Sequence, residues 1–171
     1  AASFNLSAAS SLSLLDKNTR LYGERIALGK RNKYGWKELT YKGLGLLTRQ
    51  LASYLLNELQ MQKGDRLAIL SESMPEMGAC VFASVISGMV TVPLDNKLTI
   101  YELESILTSA QPSVLAISLA NLQRGLELQK RIPSIKNLIL MDEHSPNCSI
   151  PTLYTLPDAK ECKWRHRSLR D

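Results

Sequence analysis

Between Lys63 and Asp95 the apolar residues come as a short block, a long block and another short block, separated by turn chemistry. Lys63-Gly64-Asp65 forms a turn, and Arg66-Leu67-Ala68-Ile69-Leu70 then runs apolar and short, as a strand covered on both faces does. Residues 77–86 are apolar at nearly every position, which predicts a helix buried all round. Ahead of it, Ser73-Met74-Pro75-Glu76 offers the serine and glutamate of a capping box, with proline tolerated in the first turn. Gly88 suits a left-handed helix end, and Thr91-Val92-Pro93 starts a second strand. Strand, helix and strand within about thirty residues predict a right-handed βαβ unit.

The alternation continues on both sides. Residues 11–22 place Leu12, Leu15 and Leu21 as a modest amphipathic helix. Residues 26–31 and 36–40 are strand-like runs around Asn32-Lys33-Tyr34-Gly35, a hairpin turn. Thr40 then caps a helix that carries Leu44, Leu47, Leu51 and Leu55 on one face and ends near Glu58. Gly43 stands where a capping box wants Glu or Gln, so Gly43→Glu is expected to stabilise the domain by about 1 kcal/mol. Downstream, Thr99 and Glu102 form a second capping box, opening a helix with Leu103, Ile106 and Leu107 on its buried side and Pro112 beyond its end. A strand over 114–118, a helix over 119–131 and a strand over 137–141 follow. The fold class is therefore α/β: a mostly parallel, Rossmann-like sheet with helices on both faces, preceded by a β-hairpin and its helix. Residues 1–141 form this unit, and 142–171 read as a polar, basic tail or linker.

Composition narrows the class without changing it. The 171 residues, 44% hydrophobic and 22% charged, suffice for one globular domain with its own core. No run approaches the roughly 18 apolar residues of a membrane span, and the N-terminus lacks the basic and long apolar regions of a signal peptide. Net charge is +5, and residues 160–171 hold five basic side chains against two acidic ones. Such an end suits solvent better than a nucleic-acid groove, and no aromatics interleave with the bases; nucleic acid is not an expected partner. Cys80 falls in the apolar helix, while Cys148 and Cys162 lack CxxC spacing, so a zinc site or disulfide framework is not expected and a cytoplasmic setting is. His144 and His166 stand alone.

Chemical motifs are sparse. Gly43-Leu44-Gly45 lacks the third glycine of a dinucleotide fingerprint, and Gly23 with Gly29-Lys30 misses a phosphate loop by one residue, with Arg31 where Ser or Thr belongs. No GxSxG elbow occurs, so Ser84 and Ser87 are helix residues. Glu72 and Glu76 follow a strand's carboxyl end, where α/β proteins bind ligands, but capping and dipole roles suit them better than acid–base ones. No residue is assigned a catalytic, cofactor-binding or metal role.

Four segments, in order, resemble the adenylate-forming (AMP-binding) superfamily. Leu39-Thr40-Tyr41-Lys42-Gly43-Leu44 is similar to its LTYxEL motif, and Lys63 to Ile69 to its KGDRVAI segment. Met74-Pro75-Glu76-Met77 resembles its NxPEW, with Met77 in place of tryptophan, and Gly88 to Asp95 its GAVxVPLD motif. The resemblance covers roughly residues 25–118 and leans towards acyl-CoA synthetases that take fatty or aryl acids. It implies the N-terminal portion of an enzyme that activates a carboxylic acid with ATP and Mg through an acyl-adenylate, then passes the acyl group to CoA or a carrier protein. The family's phosphate loop, ribose-binding aspartate, hinge and catalytic lysine have no counterparts here. The expectation is a scaffold, forming part of an acyl-pocket wall, inactive by itself and dimerising through surface that the rest of the ligase would cover. Two rivals stay open: a short non-catalytic interaction module, and part of an amino-acid adenylation domain.

Overall fold

Two apolar clusters lie on opposite faces of one sheet, and side-chain alternation along the strands assigns each residue to its cluster. The computed structural model describes residues 8–32, 35–142, 153–155 and 165–168. In chain order the elements are α1 (Ala8–Tyr22), β1 (Ile26–Asn32), β2 (Gly35–Thr40), α2 (Tyr41–Ser53), β3 (Arg66–Leu70), α3 (Pro75–Ile86), β4 (Val90–Leu94), α4 (Ile100–Ala110), β5 (Val114–Ile117), α5 (Leu122–Arg131), β6 (Asn137–Leu140), β7 (Leu153–Thr155) and β8 (Arg165–Ser168). The five-stranded sheet has the order β4-β3-β5-β6-β7, and every pairing in it is parallel. Leu67, Ile69, Val114, Ala116 and Ile139 face a core shared with α1, α2 and α3. Ala68, Leu70, Leu115, Ile117, Leu138 and Leu140 face the other core, shared with α4 and α5. Strands buried on both faces read as continuous apolar runs because each alternate residue has its own core to enter.

β1 and β2 form an antiparallel hairpin outside this sheet, with β8 added antiparallel to β2. The sequence pattern contains neither β7 nor β8, which fall within the span read as a tail. The hairpin's turn and the residues around His144, Cys148 and Cys162 lie outside the described residues.

Thr40 is the N-cap of α2, its hydroxyl accepting the Gly43 N–H at 3.1 Å, and Leu44, Leu47, Leu51 and Leu55 are all buried. The helix widens into a π-turn over Tyr54–Glu58 before the chain reverses through Gln60, at φ 51°, and Gly64, at φ 90°. At α4 both halves of the Thr99–Glu102 capping box form, and Gln111 in the left-handed region ends the helix before Pro112.

Five expectations need correction. Ser73 does not cap α3: the residue before a proline is pushed out of the helical region, so Met74 stays extended (φ −152°, ψ 154°) and becomes an N-cap without a side-chain bond. The helix starts at Pro75, and Glu76 is too early to close a box. α3 is not buried all round, since Phe82 is exposed and Met77, Gly78, Val81 and Val85 are half-buried. Of the α1 leucines named from the pattern only Leu15 is buried, and on α4 Ile106 is 40% exposed while Leu103 and Leu107 are buried. Finally, Gly43 is a packing glycine: a Cβ there would lie 2.8 Å from Leu39 Cδ1, and Leu39 is fully buried. Glutamate at 43 would press on Leu39, and this contact opposes the expected gain from capping.

Candidate functional site

Parallel α/β sheets place ligands beyond the carboxyl ends of their strands, and here that rim is where the described polar side chains converge. Glu72, two residues past β3, accepts a hydrogen bond from the Ser118 hydroxyl at 2.6 Å and lies 3.8 Å from Lys30 Nζ of β1. Ser118 follows β5 and is fully buried. Its oxygen accepts from Asn121 Nδ2 at 2.9 Å, and Asn121 Oδ1 accepts from Arg124 Nη1 at 3.1 Å. Arg124 also donates to the main-chain carbonyls of Asn96, at 2.8 Å, and Leu98, holding the loop after β4 against α5. The Leu119 N–H donates to Asp142 just past β6. One polar chain thus runs across the rim from the hairpin to α5. Sequence reasoning missed Ser118, Asn121 and Arg124 because, although only three residues apart from one another, they fit no motif and their partner Glu72 lies 46 positions from Ser118.

Glu76 is buried and ion-paired with Lys37 of β2. The pair ties the hairpin to α3, which an N-terminal carboxylate and the helix dipole also favour. One turn further on, burial pushes the Cys80 thiol up to about 12, and the negative charge of Glu76 adds to the shift. Burial and that neighbouring charge both disfavour the thiolate form of Cys80. Ser84 accepts from the Thr91 hydroxyl at 2.9 Å, a bond from α3 to β4, and Ser87 closes the end of α3.

Two of the glycines singled out in the sequence, Gly43 and Gly45, lie tight against neighbouring side chains. A Cβ at Gly45 would meet Thr19 Oγ1 at 2.8 Å, so it brings α1 against α2. Gly29 sits in the hairpin ladder opposite Glu38, and the Gly43 N–H is taken by Thr40. A triphosphate cradle needs successive free N–H groups aimed at one point, and the Gly43 N–H is already committed to Thr40. Among the described residues no group of three His, Cys, Asp or Glu is placed to hold a metal ion.

Beside the rim lies a groove of about 310 Å³ between β1 and α3, lined by Leu28, Gly29, Ser73, Met74, Pro75, Met77, Gly78, Val81 and Phe82. None of these described lining residues is charged. Gly78 lets the hairpin in: a Cβ there would stand 2.5 Å from Leu28 Cδ1.

The AMP-binding enzyme family model matches residues 15–164. The 2-succinylbenzoate–CoA ligase of Bacillus velezensis is 35% identical over 101 residues, 59% of this chain and 20% of that protein. The Homo sapiens long-chain-fatty-acid–CoA ligase ACSBG1 is 24% identical over 141 residues, 82% of this chain and 19% of that protein. Among solved structures, the A-PCP didomain of carboxylic acid reductase from Segniliparus rugosus, in complex with AMP, superposes with a TM-score of 0.76 at 18% identity, covering 97% of this chain and 28% of that one. The chain spans about a fifth of the length of these curated relatives.

Proposed function

Because the chain belongs to the AMP-binding enzyme family, matched from residue 15 to residue 164, we propose that it is the N-terminal portion of an AMP-forming acid–thiol ligase and serves there as scaffold. The parent enzyme would activate a carboxylic acid with ATP and Mg and transfer the acyl group to CoA or a carrier protein in the cytoplasm. A fatty acid is the favoured substrate, in keeping with the match to a long-chain ligase over 82% of the chain. An aryl acid is the second reading, favoured by the 35% identity to a 2-succinylbenzoate ligase.

The observation that carries the scaffold role is the commitment of the rim's carboxylates: Glu76 to Lys37, and Glu72 to Ser118 and Lys30. Adenylation needs preorganised donors around a triphosphate and a cation at the developing charge. By themselves, residues 1–171 should dimerise through exposed apolar side chains such as Leu56 and Val90.

The test is acid-dependent exchange of labelled pyrophosphate into ATP, run on residues 1–171 and on the polypeptide extended through the gene's reading frame. The expected result is no exchange by the former and exchange with fatty acids by the latter. Exchange by residues 1–171 alone, or a reading frame that closes after Asp171, would overturn the proposal. Exchange with only an amino acid would keep the family and change the substrate.

A further inference from the structure

We propose that the outer face of α1 docks on an anionic lipid surface; the inference does not depend on which acid the parent ligase activates. Exposed apolar side chains are concentrated there. Among the described residues, five of the twelve large hydrophobic side chains that stay exposed come from residues 12–26: Leu12, Leu14, Leu21, Tyr22 and Ile26. Single exposed leucines need no explanation, but a cluster does. Leu14, 50% exposed, and Leu21, 60% exposed, share one stripe of the helix with Lys17, three and four positions apart. The stripe faces away from Thr19, which meets Gly45 of α2. Tyr22 closes the helix with the Arg25 guanidinium 5.2 Å from its ring centroid. Side chains with an apolar body and a polar tip suit the level of lipid headgroups.

Charge identifies the occupant. Lys17, Arg20, Arg25 and Lys42 are all exposed beside these residues, and the last three line a concavity of about 610 Å³ with Tyr22 at the carboxyl end of α1. Of the neighbouring described carboxylates, Asp16 is taken by Arg49, and Glu24 lies 4.0 Å from Lys42. Folding accounts for Arg20, which sits in the last turn of α1 and suits its dipole. It does not account for Lys42, the second residue of α2, where the dipole disfavours a cation. An anion over the concavity would offset that cost. A second copy of the chain would bring the same cations to the same face and be repelled, as would residues 160–171, with five basic side chains against two acidic. Nucleic acid supplies phosphates but no apolar phase for Leu14 and Leu21. A leaflet of anionic lipid supplies both, with headgroup charge at the cations and acyl chains under the leucines.

The test is co-sedimentation of residues 1–171 with vesicles of phosphatidylcholine and phosphatidylserine, with pure phosphatidylcholine vesicles as the control. Binding is expected to the mixed vesicles alone and should weaken as salt rises. Arg20→Gln, Arg25→Gln and Lys42→Gln together should lower the affinity about 100-fold, since each cation at an anionic surface contributes about fivefold. Leu14→Gln with Leu21→Gln should lower it about tenfold at an unchanged melting temperature, because both side chains already face solvent. Tyr101→Ala, which removes a ring 72% exposed on α4, should leave vesicle binding as it is.

No binding to the mixed vesicles, equal binding to both kinds, or full affinity in the leucine variant would each overturn the inference. So would tighter binding of duplex RNA than of the mixed vesicles. Release by inorganic phosphate beyond that by sodium chloride at equal ionic strength would make the concavity a phosphate site and overturn the lipid surface. An extended ligase that exchanges with fatty acids and ignores the mixed vesicles would sink the surface and leave the proposed function standing. One that binds the vesicles and exchanges only with an amino acid would support the surface and overturn the fatty-acid reading.

Discussion

The N-terminal ends of α3 and α4 begin from nearly the same sequence and reach opposite solutions. Each has a hydroxyl residue followed three positions later by glutamate: Ser73 to Glu76, and Thr99 to Glu102. At α4 the box closes, with the Thr99 N–H donating to Glu102 Oε2 at 2.7 Å and the Glu102 N–H donating to Thr99 Oγ1 at 3.3 Å. At α3 the second residue after Ser73 is proline, which forces Met74 out of the helical region and moves the start one residue along. Glu76 then points into the interior and meets Lys37 of the hairpin. The same short motif is a local device where nothing interrupts it and a tertiary joint where proline shifts its register.

The joint should matter more than the box. Lys37→Met leaves the buried Glu76 carboxylate without this cation, and breaking such a pair costs about 3 kcal/mol. Urea unfolding checks it: a midpoint close to wild type would mean the pair is not what joins the hairpin to α3. The double variant Lys37→Met with Glu76→Leu should recover much of the loss, because no charge is then buried.

The next largest effect separates a helix start that packs from one that faces solvent. Gly43→Glu places a Cβ against Leu39, and overpacking of that kind costs about 1–3 kcal/mol. Thermal melting should show a lower midpoint, whereas a higher one would restore the capping argument for this position.

Thr99→Ala removes a working cap and should cost about 1 kcal/mol, while Ser73→Ala should stay within about 0.5 kcal/mol because its hydroxyl caps nothing. Equal losses in the two unfolding curves would erase the contrast between the helices.

The smallest effect is a pH dependence confined to α4. Hydrogen bonds from the Thr99 backbone N–H, and then from its hydroxyl, hold the Glu102 carboxyl below the ordinary glutamate value of 4.5. A depressed folded-state value stabilises fully above the ordinary one, and the contribution fades as pH falls through the depressed value. The gap between wild type and Thr99→Ala should therefore shrink in acid without vanishing, since the threonine hydroxyl still accepts the Glu102 N–H. A gap that widens in acid would contradict the assignment.

Which parts of this were legible follows from the range over which each signal acts. β3, β5, β6 and α2 could be read because double burial writes continuous apolar runs and one-sided burial writes a leucine stripe, as at Leu44, Leu47, Leu51 and Leu55. The half-open face of α3 could not, because Met77, Val81 and Phe82 are apolar whether they meet a core or line a groove. Gly43 read as an unfilled capping-box position and Gly45 as part of an incomplete dinucleotide fingerprint, and only the approach of Leu39 and Thr19 shows them to be contacts between elements. The rim network was hidden for a simpler reason: Glu72 lies 46 positions before Ser118, and no spacing rule links it to Ser118, Asn121 and Arg124.

The scaffold role turns on whether Glu72, the partly exposed acid on the rim, does chemistry. Pyrophosphate exchange by the extended ligase, wild type against Glu72→Gln, decides it, because a general acid or base contributes about 10²–10⁴ in rate. An exchange rate within about threefold of wild type, with any difference following the shift in unfolding midpoint, is the predicted result. A fall of 10² or more, on the scale of general acid–base catalysis and with an unchanged unfolding midpoint, would make Glu72 catalytic and contradict the account.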